Sequence, residues 1–169
     1  MTVHKVLKFG EPILKKKSKP VQELTADVKK LVADLLETLY ASKGVGLAAP
    51  QVGVLQRICV IDFVPEGKKE PIVLINPKIV GKKGKVILEE GCLSFPGIFA
   101  NVKRFDKVRI EAVNEKGLPI VVEGGGYMSR AIQHEIDHLD GKLFIDYLSF
   151  FKRRNIKKEI KNRKKAGTW

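Results

Sequence analysis

The sequence predicts an α+β fold, and the order of its patterns carries that prediction. A helical apolar stripe comes first, a strand-like middle follows, and two helical segments close the chain. Helices and strands are therefore segregated, without the regular alternation that builds a doubly wound parallel sheet. At 169 residues the chain can bury one core but not two of ordinary size. No repeat or low-complexity linker interrupts it, so residues 1–169 read as a single domain.

The first segment, Gly10-Glu11-Pro12 through Lys19-Pro20, is rich in turn residues and is expected to be irregular and exposed. Thr25 then offers an N-cap to a stripe of Val28, Leu31, Val32, Leu35, Leu36, Leu39 and Tyr40, with Gly44 just past the expected C-terminus. From Arg57 to Val64 the residues are β-formers, stopped by Pro65-Glu66-Gly67. Pro71 to Ile75 and Lys85 to Leu88 have the same character. Lys107 to Val113 and Leu118 to Val122, joined through Asn114-Glu115-Lys116-Gly117, read as a hairpin. After the glycine run 124–126 a helix is expected from about Tyr127, ending at Gly141 in the C′ position. Phe144 to about Lys165 is expected to be a last helix, apolar at first and basic over about 146–165.

The chemistry concentrates in Gln133-His134-Glu135-Ile136-Asp137-His138. Histidines four apart on a helix share one face and can hold a divalent cation between them. Glu135 follows the first histidine and can lie beside the ion without binding it, as a base for a water that the ion activates. The bland alternative is a helix face that carries this pattern by chance. His4 is the remaining histidine. A catalytic centre of this kind wants a third protein ligand. Phe144 stands where a metzincin would have its third histidine, and Glu159, the sole glutamate downstream, sits among cations. Cys92, flanked by glycines and a proline, is the stronger candidate, since a thiolate suits a borderline-soft ion. Cys59 lies in an apolar strand and reads as a core residue. Spacing alone leaves the third ligand open.

Composition narrows the remaining classes. Two cysteines exclude a disulfide framework. No apolar run is long enough to span a bilayer, and Met1-Thr2-Val3-His4-Lys5 lacks the apolar core of a signal peptide, so a cytoplasmic protein without membrane contact is expected. The net charge of +13 is uneven: Lys152 to Lys165 holds nine basic residues and one acid. Such a segment is either a footprint for a polyanion such as RNA or a solvated lysine-rich helix.

Three segments together resemble the peptide deformylase family: Gly44-Val45-Gly46-Leu47-Ala48-Ala49-Pro50-Gln51, Glu90-Gly91-Cys92-Leu93-Ser94, and His134-Glu135-Ile136-Asp137-His138. The first also matches the weak fingerprint G-x-G-x-x-A, but it follows a helix rather than a strand, which argues against nucleotide binding. The likeness runs from the Gly-Glu-Pro segment to the C-terminal helix, as in bacterial members. It departs from the usual run at Tyr127-Met128-Ser129. The resemblance implies antiparallel sheets packed around a central His-Glu-x-x-His helix. It also implies a metal held by Cys92, His134 and His138, with Fe2+ the physiological ion and Zn2+, Ni2+ or Co2+ alternatives. Glu135 is implied as base and acid, and the Gln51 amide and Leu93 backbone N–H as oxyanion donors. Gly44, Val45, Gly46, Gly91 and Ala131 would line the substrate site. The implied substrates are nascent N-formylmethionyl polypeptides, and the basic tail would meet ribosomal RNA. Two other readings compete: an aminopeptidase or small metalloprotease, and an RNA-binding protein with a structural, four-ligand metal.

Overall fold

The computed structural model describes residues 2–63 and 70–169. In chain order these residues form α1 (Ala26–Ala41), β1 (Gly46–Ala48), β2 (Ile58–Ile61), β3 (Ile72–Lys83), β4 (Val86–Cys92), β5 (Phe95–Arg104), β6 (Lys107–Val113), β7 (Pro119–Gly125), α2 (Gly126–Leu139) and α3 (Phe150–Lys165). Strands β1-β2-β3-β6-β7, in that order, make an antiparallel sheet, and β4 and β5 pair as a separate antiparallel ribbon. The expected continuation of the second strand to Val64, and its stop at Pro65-Glu66-Gly67, lie outside the described residues.

Burial on both faces explains the central strands. Successive side chains of a strand point to opposite faces. Cys59, Ile61 and Leu74 accordingly pack with Ile132, Ile136 and Leu139 of α2. Ile58, Val60, Val73 and Ile75 pack with Val28, Val32, Leu35 and Leu39 of α1. A strand covered on both sides must be apolar throughout, which is why β2 reads Ile-Cys-Val-Ile. The sheet is thus the layer between the two helices, and α2 is pressed against its middle.

Helix α1 begins as its sequence suggests, with Thr25 Oγ1 accepting from Val28 N–H. Its end differs. The left-handed residue after the helix is Lys43 (φ 53°), not Gly44. Gly44 is required for space instead: a Cβ there would lie 2.8 Å from Leu93 Cδ1. In the β6–β7 hairpin, Asn114 Oδ1 accepts from Lys116 and Leu118 N–H, and Gly117 takes the positive φ of 80°. Gly141, after α2, is left-handed as expected, with the Lys15 carbonyl 2.6 Å from where its Cβ would be.

Two further expectations are corrected. The segment from Gly10 to Pro20 is irregular but not wholly exposed. Pro12–Lys15 forms a short 3-10 turn that buries Leu14, and Ser18 N–H donates to Leu139 O at the end of α2. The last helix is also not continuous from Phe144. Phe144–Tyr147 is a single 3-10 turn, Leu148 is extended, and Ser149 caps a new helix by accepting from Lys152 N–H. Burial of Phe144, Ile145 and Leu148 in one cluster with Leu14, Phe95 and Val102 imposes the break. A continuous helix would carry those side chains around its axis at 3.6 residues per turn.

Asp34, buried in α1, ties the N-terminal segment down. It accepts from Lys30 Nζ (2.5 Å) and Thr2 N–H (2.8 Å), and its Oδ2 lies 3.2 Å from His4 Nε2. The Lys30 hydrogen bond outweighs burial and, with Thr2 N–H, holds the carboxyl well below the usual carboxylate range. A depressed folded-state pKa contributes stability above the unfolded value and loses it as pH falls through the folded one. Asp34→Asn is therefore expected to melt below wild type at pH 7. The gap should close as pH drops below about 4 in paired thermal melts.

Candidate active site

Every residue of α2 from Ala131 to Leu139 is buried, including His134, Glu135, Asp137 and His138. The imidazoles of His134 and His138 sit one turn apart, ring centroids 5.0 Å from each other. Cys92 ends β4, where the β4–β5 register shifts between Gly91 and Cys92. That irregularity sets its Sγ 3.3 Å from His138 Nε2. The three donor atoms of Cys92, His134 and His138 all lie within 4.8 Å of one another, so the cluster can hold a metal ion.

The surroundings fit such an ion. His134 Nδ1 lies 3.1 Å from Glu90 Oε2, which fixes the ring and leaves Nε2 for a cation, the usual arrangement of an imidazole ligand. Burial raises the Glu90 carboxyl, but hydrogen bonds with His134 and Arg104 overcome this and hold it at about 2. Burial likewise depresses His134, while the Cys92 sulfur and Glu90 pull it well above its ordinary value. His138 is pushed down by burial and by His134.

Glu135 lies beside the cluster. Its Oε2 is buried and has no hydrogen-bond partner among the described residues. Burial, opposed by His134 and reinforced by Glu90 and Asp137, raises its carboxyl to about 7. Gly46 is a glycine because the Glu135 carboxylate occupies the place of its Cβ. Gln51 is oriented from the other side: Ala48 N–H donates to its Oε1 (2.9 Å), so its amide nitrogen faces Ser94 Oγ (3.1 Å) and Cys92 Sγ (3.7 Å).

These groups open onto a cleft of about 450 Å³. Gly44, Val45, Gly46, Gln51, Gly91, Cys92, Leu93, Ala131, His134 and Glu135 all line it, and His138 is buried against the Cys92 sulfur. Val45 is half exposed at the mouth. Gly91 makes room for the Phe99 ring, 2.6 Å from its would-be Cβ. Cys59 is fully buried in β2, its thiol pushed up by burial, and belongs to the core.

Sequence reasoning missed the support of this site. Arg104 donates to both Glu90 oxygens (2.7 and 3.0 Å) and to Asp137 Oδ2 (2.5 Å), and Tyr147 Oη donates to Asp137 Oδ1 (2.8 Å). Phe63, Phe99, Tyr127 and Arg130 also line the cleft. The Arg130 guanidinium lies 4.5 Å above the Tyr127 ring. Glu90 and Asp137 fall inside the motifs that were read, but nothing local marks Arg104 or Tyr147.

A thiol and two imidazoles beside a buried carboxyl in a cleft define the class of protein sites built for a single transition-metal ion. The polypeptide deformylase family matches residues 3–154, and the chain belongs to that family. It is 50% identical over 165 residues to a peptide deformylase of Endomicrobium trichonymphae, covering 98% of each chain. The crystal structure of a peptide deformylase from Legionella pneumophila superposes with a TM-score of 0.92 at 42% identity, over 98% of both chains. That of an Ehrlichia chaffeensis peptide deformylase in complex with actinonin gives 0.90 at 39% identity, over 96% of this chain and 98% of that one.

Removing Arg104 would leave Glu90 and Asp137 as buried carboxylates without their cation. Arg104→Leu is expected to cost about 3–5 kcal/mol in urea unfolding, far more than a surface charge deletion.

Proposed function

We propose that the protein removes the formyl group from the N-terminal formylmethionine of nascent polypeptides, releasing formate. The observation that carries this reading is Glu135: a buried carboxyl with an unpartnered oxygen, beside a Cys–His–His cluster at the floor of an open cleft. Family membership supports the substrate class. A divalent ion on Cys92, His134 and His138, ferrous iron by family likeness with Zn2+, Ni2+ or Co2+ also accepted, would supply Lewis-acid chemistry to the formyl oxygen and to water. The chain's own residues do the rest. Glu135 takes the proton of the attacking water and returns it to the amide nitrogen, which leaves as a free amine. As the formyl carbon becomes tetrahedral, the Gln51 amide and the Leu93 backbone N–H donate to its oxygen; one such donor is worth about 10²–10³ in rate. Val45 and Ala131 offer apolar wall to the methionine side chain, and Gly44, Gly46 and Gly91 keep the neighbouring walls low. The deciding assay offers formyl-methionyl and unformylated peptides to metal-reconstituted protein. Formate release supports the proposal, whereas peptide-bond cleavage or no reaction overturns it.

Glu135→Ala is expected to keep its metal and lose activity by about 10²–10⁴-fold or more, because both proton transfers lose their carrier. Elemental analysis beside turnover checks it, and a folded, metal-free variant would make Glu135 a ligand rather than a base. Cys92→Ser should lose most of its metal. Cys59→Ala should keep it and cost about 1–2 kcal/mol of stability, since it only removes a core sulfur.

We also place the protein in the cytoplasm, working on chains as they leave the ribosome. No helix among the described residues is long and apolar enough to cross a membrane. In α3, Ile160 is buried, while Lys157, Lys158, Lys161 and Lys164 face solvent. Contacts from these lysines to rRNA phosphates would be sequence-independent and salt-sensitive. Reversing the four to Glu is expected to abolish co-sedimentation with ribosomes and leave short-peptide turnover nearly unchanged.

A further inference from the structure

A second cavity, of about 440 Å³, opens on the other side of α2 from the cleft, where the β3–β4 turn, the end of β5 and the C-terminal end of α2 meet. Four lysines from three separate stretches of chain stand around it: Lys82 and Lys85 at the β3–β4 turn, Lys103 on β5 and Lys142 after α2. All four are exposed, and among the described residues none is paired with a carboxylate. The acids in the wall are already committed, Asp137 to Arg104 and Asp140 to Arg57 at 2.7 Å. Arg104 also balances Glu90, so it offsets Asp137 only in part, but the four ammonium groups still leave the cavity strongly positive.

Two features separate this from an ordinary solvated basic face. Lysines that only keep a protein soluble spread out, because like charges brought together repel, and a low-dielectric concavity strengthens that repulsion. Here the turn at Gly84 (φ 65°) and the Ile87–Lys103 register bring three of the lysines to one rim, and the loop after Gly141 brings the fourth. The floor, moreover, is partly aromatic: Lys82 Nζ lies 5.1 Å over the Phe105 ring, and the Tyr147 ring lies under the Arg104 guanidinium. A concavity of this volume suits a small ligand, whereas nucleic acid asks for a groove that tracks its backbone. Ammonium groups recognise phosphate as point charges, and several of them match a chain of linked phosphates.

We propose that this cavity binds a compact, multiply charged phosphate compound of the size of tripolyphosphate or a nucleoside triphosphate. The test is isothermal titration calorimetry of zinc-loaded protein with tripolyphosphate and with ATP, at about 0.15 M salt. Zinc content is measured before and after, so that chelation is not read as binding. Saturable one-to-one binding is expected. Lys82→Ala/Lys103→Ala/Lys142→Ala should weaken it by about tenfold or more, while Lys157→Ala/Lys158→Ala/Lys161→Ala on α3 stays within about twofold of wild type. Arg at the same three cavity positions should retain binding. The alanine variants alter exposed side chains only, and melting temperatures near wild type will establish that they fold. Tighter binding of ATP assigns a nucleotide, and tighter binding of tripolyphosphate assigns the bare phosphate chain. No saturable heat, undiminished binding in the cavity variant, or equal loss in the α3 variant overturns the proposal. So does capture of an RNA hairpin through these lysines without tripolyphosphate binding.

Discussion

The structure depends on burying a charged helix. Within α2, four ionisable side chains lie inside the protein between Ile132 and Leu139. An isolated buried charge costs far more than any single packing contact returns, so each needs a partner or must become neutral. Arg104 serves two at once: it pairs directly with Asp137 and, through Glu90, steadies His134. Tyr147 satisfies the other Asp137 oxygen. What remains unpartnered in α2 among the described residues is informative, namely Glu135 Oε2 and His138 Nδ1. Glu135 Oε2 is thus open where the proposed chemistry takes place, while His138 Nδ1 lies on the ring edge away from the Cys92 sulfur.

The β4–β5 ribbon follows from this demand. Glu90 and Cys92 lie on β4, and Arg104 lies on β5 opposite Val86. One hairpin therefore delivers a donor of the proposed metal site, the acid that orients the neighbouring histidine, and the cation that balances the acid. Keeping it apart from the five-stranded sheet lets its end reach α2 while β1, β2 and β3 stay sealed between the two helices. The break after Tyr147 belongs to the same arrangement, since a helix continuous from Phe144 would turn Tyr147 away from Asp137.

What could be read from the sequence follows the range of the interactions. The stripe of α1, the Thr25 cap and the Gly141 stop are local signals, and the structure has each of them. The His-Glu-x-x-His helix and the segments with Gln51 and Cys92 were legible because each motif packs several constrained residues into a short stretch. Strand β5 was missed because Pro96 and Gly97 interrupt its pattern; its pairing with β4 and the burial of Phe95, Ile98 and Val102 hold it extended. Strand β1 was too short to show a period. Arg104 left no trace because Asp137 is 33 residues away, and Tyr147 because its contact with Asp137, ten residues back, forms across a break between two helical segments rather than along one helix face.

The same reasoning shows how the two cavities differ. In the cleft Glu90 is matched inside the wall by Arg104, and a buried carboxyl, that of Glu135, is held where the proposed reaction needs a proton carrier. In the second cavity the acids are consumed by arginines and the lysines are left over. Asp137 takes part in both, since its pairing with Arg104 steadies the Glu90–His134 contact on one side and frees the lysines' charge on the other. An anion seated among those lysines would lie beside the guanidinium that balances Glu90. Even without any movement of the backbone, its field would act on the pair that orients His134.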